Sequence, residues 1–525
     1  MISKTMVSIV LLVLFLLTTT SHGNLQDFAT CMTLHSTSIV HSQGFPSYTY
    51  LLQAAEQNPR WLNSTSLLKP SFIVTPKTQN EIKLVILCSK KHGLQVRVKS
   101  GGHDYEGLSF LCKTPFVILD LVDFRSISIN LEDETAWIQA GVTIGEFYYN
   151  IAKKSDILGF PSGLCPSVGV GGLFSGGGIG TMMRKYGLSA DNIIDAYLVD
   201  ANGRILDRET MGEDVFWAIR GGGGASFGVI TAWKVKLVRV PPLITVFTIH
   251  KSLDQEGVKL VHKWQYLASK LPENLFIRVL IQQIDGPDSQ GNAKPVELLF
   301  NSLFLGSKPD LVSIMNKSFP ELGLKTEDCT EMSWIKSVLY FTGYEKGEPL
   351  EVLLDRKTQY KSNFKGKSDF VVEPIPESVF QGISERFLHQ KLAFMILDPL
   401  GGKMDEICES EIPFPHRKGN LYNIQYIVKW DSNDMLASKQ PLYWMQRLYK
   451  YMEPYVSKSP RTAYINYRDL DLGINQQGNY SSYRQALTWG TKYFKGNFPR
   501  LVRAKHQIDP SDFFTNEQSI PSLFC

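Results

Sequence analysis

Residues 97–107 read RVKSGGHDYEG, and residues 165–180 read CPSVGVGGLFSGGGIG. Both segments belong to a glycine-rich region, because 22 of the 41 glycines lie between Gly101 and Gly228. An even spread would place about ten there. Such loops let main-chain amides approach a phosphate or a flat ring, since no side chain holds the ligand away. A single cluster is explained by tight turns between strands, but three clusters in one region favour a cofactor site.

The chain around these loops alternates between predicted helices and strands. Two capping boxes, Thr78 with Glu81 and Thr143 with Glu146, predict helices over Gln79–His92 and from about residue 144 to Lys154. Apolar segments predict strands, and an Asn-Gly pair predicts a hairpin turn. The predicted strands are Phe72–Val74, Val96–Val98, Phe116–Asp120, Thr135–Ala140 and Ile193–Val199, and the turn at Asn202-Gly203 precedes Ile205-Leu206. This pattern predicts an α+β fold.

The composition of the sequence changes at Pro241-Pro242, after which apolar segments are longer and glycine is rarer. We therefore place a domain boundary near residue 242. Compact aromatic motifs return from Tyr464 onward. A chain of 525 residues, 43% of them hydrophobic, is long enough for two or three domains.

Composition and motif spacing exclude several classes of protein. The 55 basic and 51 acidic residues give a formal charge of only +4, so we expect no nucleic-acid partner. The glycines form neither the G-x-G-x-x-G turn of a dinucleotide fold nor a G-x-x-x-x-G-K-[ST] phosphate loop. The seven cysteines include no C-x-x-C pair, so we expect no metal site.

The N-terminal 23 residues predict a signal peptide. Lys4 precedes an apolar run at Val7–Leu17 that is too short to span a bilayer, and the small residues Ser21 and Gly23 suit signal peptidase. We therefore expect entry into the secretory pathway and no membrane segment after cleavage, with the vacuole and the apoplast both open as destinations. An odd number of cysteines leaves at least one thiol unpaired in a secreted chain. Three sequons offer glycosylation sites at Asn63, Asn316 and Asn479.

The two opening segments resemble the histidine motif and the cysteine loop of plant berberine bridge enzyme-like flavoproteins, of the vanillyl-alcohol oxidase and p-cresol methylhydroxylase (PCMH/VAO) type. Further matches lie at residues 212–221, 467–471 and 516–521. The resemblance implies a two-part FAD-binding domain at 24–242 and a substrate-binding domain at 243–463, whose antiparallel sheet is covered by helices. It also implies a C-terminal berberine-bridge segment at 464–525 that returns to the FAD domain. We expect a monomer.

The same resemblance implies that FAD is bound through two covalent bonds, from His103 to its 8-alpha methyl group and from Cys165 to carbon 6. The alternatives are an ordinary loop histidine and a buried structural thiol. A disulfide between Cys31 and Cys88 is also implied. The other implied cofactor-binding residues are Ser100, Gly101, Gly102, Asp104, Val168, Gly169, Gly171, Gly172, Gly176, Gly177, Gly228, Val229 and Asn516.

The resemblance further implies hydride transfer from a small-molecule substrate to the flavin. Val168 lies three residues after Cys165, where valine in the family accompanies oxidase activity, so we expect O2 as acceptor and hydrogen peroxide as product. The residues expected to supply the catalytic base differ from those of the family. Berberine bridge enzyme itself has a glutamate where this chain has Gln425. Related alcohol and sugar oxidases do have glutamine there, but they pair it with a tyrosine and a lysine where this chain has Ile179 and Asn423.

Three tyrosines remain as candidates for the base, and each is equally well explained as a structural phenol. They are Tyr105, Tyr467 and Tyr483, and Tyr483 resembles the tyrosine proposed as base in cannabinoid synthases of the family. An unperturbed tyrosine has a pKa near about 10, so it needs help from a cation or the flavin to act as a base.

The substrate class follows from two apolar side chains near the expected flavin. Leu173 and Ile179 predict an apolar wall that favours an alkaloid, a terpenoid or a prenylated phenol, whose oxidised intermediate can cyclise. A carbohydrate or monolignol alcohol oxidase is the alternative in the same class, supported by Gln425, Tyr467 and Tyr105. The alternative in a different class is a redox-neutral, FAD-dependent cyclase, suggested by the absence of both known base sets.

Overall fold

The structure is a computed structural model that describes residues 25–33, 39–61, 67–283, 296–357, 361–431, 435–475 and 482–523. The predicted signal peptide and the sequons at Asn63 and Asn479 lie outside these residues. Helices α1 to α16 span 25–33, Pro46–Ala55, Gln79–Lys91, Ile144–Lys154, Val170–Ser175, Met183–Tyr186, Arg208–Met211, Glu213–Ile219, Gln255–Leu267, Lys308–Ser318, Trp334–Thr342, Glu377–Phe387, Lys403–Glu406, Met435–Met452, Tyr483–Phe494 and Phe498–Ile508. Strands β1 to β18 span Val40–Ser42, Phe72–Val74, Gln95–Lys99, Phe116–Asp120, Ile127–Asn130, Thr135–Gln139, Leu158–Gly159, Ile193–Val199, Ile205–Leu206, Val229–Lys236, Val238–Arg239, Ile244–Ser252, Leu275–Gln283, Val296–Phe304, Thr330–Met332, Asn363–Val371, Ala393–Pro399 and Tyr422–Trp430.

Two main sheets form the framework of the first half of the chain. The smaller sheet has the order β1-β2-β4-β3, and β4 pairs in parallel with both β2 and β3. The larger is antiparallel, with the order β5-β6-β10-β8-β9. The loop that carries His103 follows β3, and the glycines from 221 to 228 lead into β10. Both glycine loops therefore begin or end on strands that are fixed within a sheet.

Both predicted capping boxes are present. The Thr78 hydroxyl accepts a hydrogen bond from the Glu81 N–H, and the Glu81 carboxylate accepts one from the Thr78 N–H. Thr143 and Glu146 make the same exchange at the start of α4. Helix α3 ends at Lys91, one residue before the predicted end, because His92 has left the helical conformation. The five predicted strands are confirmed as β2, β3, β4, β6 and β8, each to within one residue.

The predicted hairpin is also present, but its turn differs from a two-residue Asn-Gly turn. Strands β8 and β9 pair through Leu198 with Leu206 and Val199 with Ile205, which leaves a loop of residues 200–204. The Asp200 carboxylate accepts hydrogen bonds from the N–H groups of Asn202 and Arg204 and thereby holds the longer loop closed. The Asp200 side chain thus stabilises the five-residue loop in place of a two-residue turn.

A seven-stranded antiparallel sheet dominates the second half of the chain, with the order β15-β12-β14-β13-β17-β18-β16. One face is apolar and packs under α9, α10, α12 and α14. Its residues on the three neighbouring strands β13, β17 and β18 include Ile277, Val279, Ile281, Met395, Leu397, Ile424, Tyr426 and Val428. Successive residues of a strand point to opposite faces, so the alternate residues of β13, β17 and β18 face the glycine loops. The α+β class is confirmed.

The C-terminal segment packs back against the first half of the chain. Phe498 and Leu501 of α16 share a core with Val215 and Phe216 of α8. Beyond α16, the carbonyl of Thr515 accepts a hydrogen bond of 2.6 Å from the Arg97 guanidinium. The residues around Asn516 are thereby held at β3, beside the first glycine loop.

The disulfide between Cys31 and Cys88 is confirmed, and it joins α1 to α3. The cysteines at 112, 165, 329 and 408 are free thiols. None of the helices among the described residues combines the length and the hydrophobicity of a membrane span.

A buried ion cluster joins three distant parts of the chain. Lys365 and Lys367 of β16 both donate to the Asp469 carboxylate, each at 2.7 Å. Lys365 also donates to Glu106 at 2.6 Å, three residues after His103. We use the name ion cluster for the six residues Arg60, Glu106, Lys365, Lys367, Asp469 and Asp471.

Candidate active site

A cavity of about 680 Å³ lies between the glycine loops and the free face of the seven-stranded sheet. Its first wall comes from the loops around His103 and Cys165, from the glycines at 223, 224 and 228, and from Asn516. Its opposite wall consists of alternate residues on three neighbouring strands. They are Phe276 and Arg278 on β13, Ile396 and Asp398 on β17, and Gln425, Ile427 and Lys429 on β18.

The glycines of the first wall are required by close backbone contacts and by open space. A Cβ atom on Gly101 would lie 2.4 Å from the backbone nitrogen of Gly169, so the histidine and cysteine loops contact each other through their main chains. A Cβ on Gly172 would meet no protein atom within 4 Å, and Gly172 lines the cavity. A side chain there would therefore occupy ligand space. This wall fits a flat, extended cofactor such as FAD.

His103 is held in the cavity wall by the residues beside it. The Asp104 carboxylate accepts hydrogen bonds from the N–H groups of Glu106 and Leu108 and from the Arg468 guanidinium, which fixes the loop. The imidazole Nε2 of His103 lies 3.1 Å from the Ser167 hydroxyl. Burial lowers the pKa of His103 to about 4, and the neighbouring Lys99 acts in the same direction. At neutral pH the imidazole is therefore uncharged and keeps a nucleophilic lone pair.

Cys165 presents a free thiol to the same cavity. Its side chain is exposed, and its Sγ lies 3.5 Å from the hydroxyl of Ser167. One serine hydroxyl thus lies within reach of both the ring nitrogen of His103 and the sulfur of Cys165. Val168 also lines the cavity, and its backbone carbonyl accepts a hydrogen bond of 2.9 Å from the Ile144 N–H.

Three of the predicted catalytic residues are close together at the sheet side of the cavity. The Gln425 side-chain amide donates a hydrogen bond to the Tyr105 hydroxyl. The rings of Tyr105 and Tyr467 are stacked, with centroids 5.7 Å apart and planes 15° apart. Burial raises the pKa of both phenols, and for Tyr467 the nearby Asp398 adds to the effect. Both tyrosines are therefore protonated hydrogen-bond donors at neutral pH rather than ready bases.

Two predicted catalytic residues do not line this cavity. Tyr483 is the first residue of α15, and its ring stacks on Phe498 at a centroid distance of 5.9 Å, which places it in the packing between α15 and α16. Asn423 is fully buried in β18, where its amide donates a hydrogen bond of 3.0 Å to the Asp369 carbonyl. The placement of both residues corrects the expectation that they face the reacting centre.

Three predicted cofactor-binding residues also lie outside the lining. A Cβ on Gly176 would lie 2.0 Å from Oδ1 of Asn466, so this glycine makes room for a protein side chain. Gly177 has φ +123° and lies against the side chains of Leu188, Phe414 and Tyr464. Val229 is fully buried in β10. The remaining ten of the thirteen residues named with them line the cavity.

The structure adds an acidic and a basic side chain that the sequence reasoning did not identify. Asp398 lines the cavity with only 7% of its surface exposed, and burial raises its pKa to about 6 although Arg278 opposes the shift. Arg278 donates through Nε to Asn301 at 2.9 Å. The available signal was an aspartate that interrupts the apolar segment Ala393–Pro399, where an unpaired carboxylate is costly.

The apolar side chains predicted to shape the cavity do line it. Leu173 and Ile179 lie on the loop side, and Phe276, Phe341 and Ile396 are added from the sheet domain. The cavity therefore combines apolar surface with one group of polar side chains, Tyr105, Gln425, Asp398 and Tyr467 among them.

Two family models match parts of this chain. Residues 70–208 match the model of the FAD binding domain, and residues 463–521 match the model described as berberine and berberine like. Berberine bridge enzyme-like 22 of Arabidopsis thaliana is 55% identical over 479 residues, covering 91% of this chain and 89% of the relative. Tetrahydroberberine oxidase of Berberis wilsoniae is 50% identical over 507 residues, covering 95% and 94%.

A solved structure shows the same fold. The grass pollen allergen Phl p 4, whose wild-type form is described as a glucose dehydrogenase, superposes with a TM-score of 0.89 at 43% identity. The match covers 95% of this chain and 100% of the allergen chain. An isoleucine-to-valine variant of that allergen is described as a glucose oxidase. With a domain for FAD, a C-terminal berberine-like segment and relatives of this identity over almost its whole length, the chain belongs to the berberine bridge enzyme-like family of FAD-dependent oxidoreductases.

Proposed function

We propose that this protein is an oxidase with bicovalently bound FAD, attached through His103 and Cys165, that acts on a plant specialised metabolite. The observation that carries the proposal is the common position of the two side chains. An uncharged imidazole and a free thiol line one glycine-walled cavity, and the Ser167 hydroxyl lies within reach of both. Both groups are nucleophiles of the kind that covalent attachment requires.

Bound FAD supplies a two-electron acceptor for a hydride from a substrate C–H bond. The residues of this chain hold the ring, exclude water and orient the substrate. The glycine loops leave space for the ring, and the apolar surface of Leu173, Ile179 and Phe276 excludes water from the substrate. The Tyr105 hydroxyl, held by Gln425, and the Tyr467 hydroxyl are protonated donors that orient a polar substituent of the substrate.

The proposed substrate is an alkaloid, a terpenoid or a prenylated phenol, and its oxidised intermediate can cyclise. The apolar lining from Leu173, Ile179, Phe341 and Ile396 supports a bulky apolar molecule. The 50% identity to a tetrahydroberberine oxidase supports the alkaloid class in particular.

The proposed electron acceptor is O2, which gives hydrogen peroxide. Val168 occupies the position at which valine accompanies oxidase activity in the family, and it lines the cavity. The description of the valine variant of Phl p 4 as an oxidase, beside a wild type described as a dehydrogenase, supports the view that one aliphatic side chain controls oxygen access.

Covalent attachment is tested by denaturing the purified holoprotein. We expect the yellow colour to remain with the polypeptide, to be retained in part in His103→Ala and in Cys165→Ala, and to be released in the double variant. Cys408→Ala is the matched control, because Cys408 is also an exposed free thiol but does not line the cavity. Release of all flavin from the denatured wild-type protein would refute the proposed linkage.

The substrate class is tested by anaerobic mixing with a metabolite panel of benzylisoquinoline alkaloids, monoterpenoids and prenylated phenols, followed by flavin absorbance. Bleaching by one class, with peroxide formed when air is admitted, supports the oxidase. Product formation without bleaching or oxygen uptake would instead establish the redox-neutral cyclase.

A carbohydrate or monolignol alcohol oxidase is the second candidate. The contact between Gln425 and Tyr105, with Tyr467 stacked beside them, favours it, and so does the glucose dehydrogenase description of Phl p 4. Peroxide formation with cellobiose or coniferyl alcohol, at rates above those with the alkaloid panel, would establish this candidate in place of the first.

We also propose that the protein is a secreted or vacuolar monomeric glycoprotein. Asn316 lies exposed on α10, which supports its use as a glycosylation site. Treatment of the plant-expressed protein with a glycosidase that removes N-linked glycans, followed by mass spectrometry, measures which sequons carry glycans. Light scattering of the same preparation measures the oligomeric state.

A further inference from the structure

Asp398 lies on the strand next to that of Gln425 and is its diagonal neighbour on the same face of the sheet. In the register of β17 and β18, Ile396 pairs with Gln425 and Asp398 pairs with Asn423. Ile396, Asp398 and Gln425 all line the cavity, so they share one face of the sheet. Diagonal neighbours on one face lie roughly 7–8 Å apart, so Asp398 and Gln425 are both within reach of one bound substrate.

The Asp398 carboxylate is buried and has no partner among the described residues. It accepts no hydrogen bond and forms no ion pair within 4 Å in that part of the chain, although only 7% of the residue is exposed. The titratable groups that face it are Arg278 on β13 and Tyr467 in the C-terminal segment. A buried carboxylate left without a hydrogen-bond donor is costly, and such costs are typical of residues that serve a ligand.

The other polar groups at this end of the cavity cannot accept a proton readily. Gln425 is a neutral amide that donates to Tyr105. Tyr105 and Tyr467 are phenols whose pKa values are raised, first by burial. Asp398 is thus the carboxylate of the cavity wall that faces the substrate space, since Asp104 is held by Arg468 and two backbone N–H groups.

We propose that Asp398 is the catalytic base of this enzyme, displaced by one strand from the position at which berberine bridge enzyme itself has its glutamate. The inference rests on the proposed oxidase function. It assigns to the substrate a hydroxyl group on the carbon that is oxidised, because such a group has a proton that must leave with the hydride.

The substrate hydroxyl proton passes to the Asp398 carboxylate, the adjacent C–H hydride passes to oxidised FAD, and the substrate carbon becomes a carbonyl. The substrate loses two electrons and the flavin gains them. Dioxygen then takes the two electrons and two protons, one of which is the proton held by Asp398, and leaves as hydrogen peroxide.

The test uses purified holoenzyme and two measurements. In the first, the flavin is reduced anaerobically by coniferyl alcohol, by glucose and by geraniol, a terpenoid alcohol, between pH 5 and pH 9. Since a base must be deprotonated, the wild-type reduction rate is expected to rise with pH through an inflection near 6 and then to level. Asp398→Asn is expected to lose about 10²- to 10⁴-fold in rate and the inflection with it.

The design includes a rescue and a control. Adding Gln425→Glu to Asp398→Asn places a carboxylate on the neighbouring strand and is expected to restore part of the rate with a pH inflection. Asp405→Asn is the matched control, because burial also raises the pKa of Asp405 but the residue lies outside the cavity lining. This control is expected to keep the wild-type rate and pH profile.

The second measurement needs no turnover. Infrared difference spectra of the substrate-free holoenzyme between pH 5 and pH 8 are expected to contain a buried-carboxyl signal of Asp398 that is absent in Asp398→Asn and present in Asp405→Asn. Persistence of that signal in Asp398→Asn, or reduction of this variant at the wild-type rate with the wild-type pH profile, would overturn the assignment alone. Absence of wild-type flavin reduction by all three probes, with the Asp398 signal present, would overturn the proposed oxidation of hydroxyl compounds and the base together.

Discussion

Replacing Asp469 by asparagine in the ion cluster is expected to destabilise the protein strongly. The cluster has three cations, Arg60, Lys365 and Lys367, and three anions, Glu106, Asp469 and Asp471, so its charges cancel. The Asp469 carboxylate is 2% exposed and accepts from both lysines at 2.7 Å. The variant keeps the shape of the side chain but leaves one uncompensated positive charge in a buried site.

The expected loss is about 3–5 kcal/mol in the free energy of unfolding, the usual cost of removing one partner of a buried ion pair. The matched control is Asp471→Asn, since Asp471 contacts the same lysines but its side chain is 48% exposed. Its loss is expected to be about 0–1 kcal/mol. Guanidinium unfolding of the three holoproteins, followed by tryptophan fluorescence, measures both values. A loss in Asp469→Asn no larger than that in Asp471→Asn would refute the reasoning.

Three further predictions concern the cofactor wall, the disulfide and the response to acid. Gly172→Val is expected to lower FAD incorporation while the protein stays folded. The control is Gly496→Val, at another glycine where an added Cβ would meet no atom within 4 Å, and it is expected to leave incorporation unchanged. Flavin absorbance per polypeptide measures incorporation, and equal values in the two variants would contradict the role of Gly172. Replacing Cys31 and Cys88 by serine removes a bridge across 57 residues and is expected to cost about 4 kcal/mol of unfolding free energy, measured by guanidinium unfolding; a loss below about 1 kcal/mol would contradict the expectation. Lys365 and Lys367 lower the pKa of Asp471 to about 2, although burial of the carboxyl acts in the opposite direction. The stabilising effect of the Asp471 carboxylate is therefore present above about pH 4 and is lost as the pH falls toward 2. Wild type is expected to lose more stability than Asp471→Asn over that range, and equal losses in pH-dependent unfolding would contradict the assignment.

Local chemistry made much of the first half of the chain predictable. A capping box needs only two side chains three residues apart, so Thr78 with Glu81 and Thr143 with Glu146 determined the helix starts without help from the rest of the fold. Glycine crowding likewise indicated the cofactor wall, because close backbone approach is a local requirement. Gly176 shows where this reasoning ends, since its need for glycine comes from Asn466, which is 290 residues away in the sequence.

The substrate side was less predictable because it depends on the pairing of strands. Asp398 and Gln425 lie on different strands, and only the register of β17 with β18 places them on one face. The local sequence of either strand does not predict how the two strands pair. The position of Tyr483 was also not predictable from the sequence. Its ring contacts Phe498 because α15 packs on α16, and a motif match contains no information about that packing.

The seven-stranded sheet has a consequence for how this enzyme can change. On β13, β17 and β18 the odd and even positions serve different purposes, since one set fills the core under the helices and the other lines the cavity. A library that varies Phe276, Ile396, Gln425 and Ile427 together therefore samples new substrate pockets while the helix-covered layer keeps its packing. Substitutions at every second residue of these three strands can therefore change the substrate that the cavity accepts while the fold is kept.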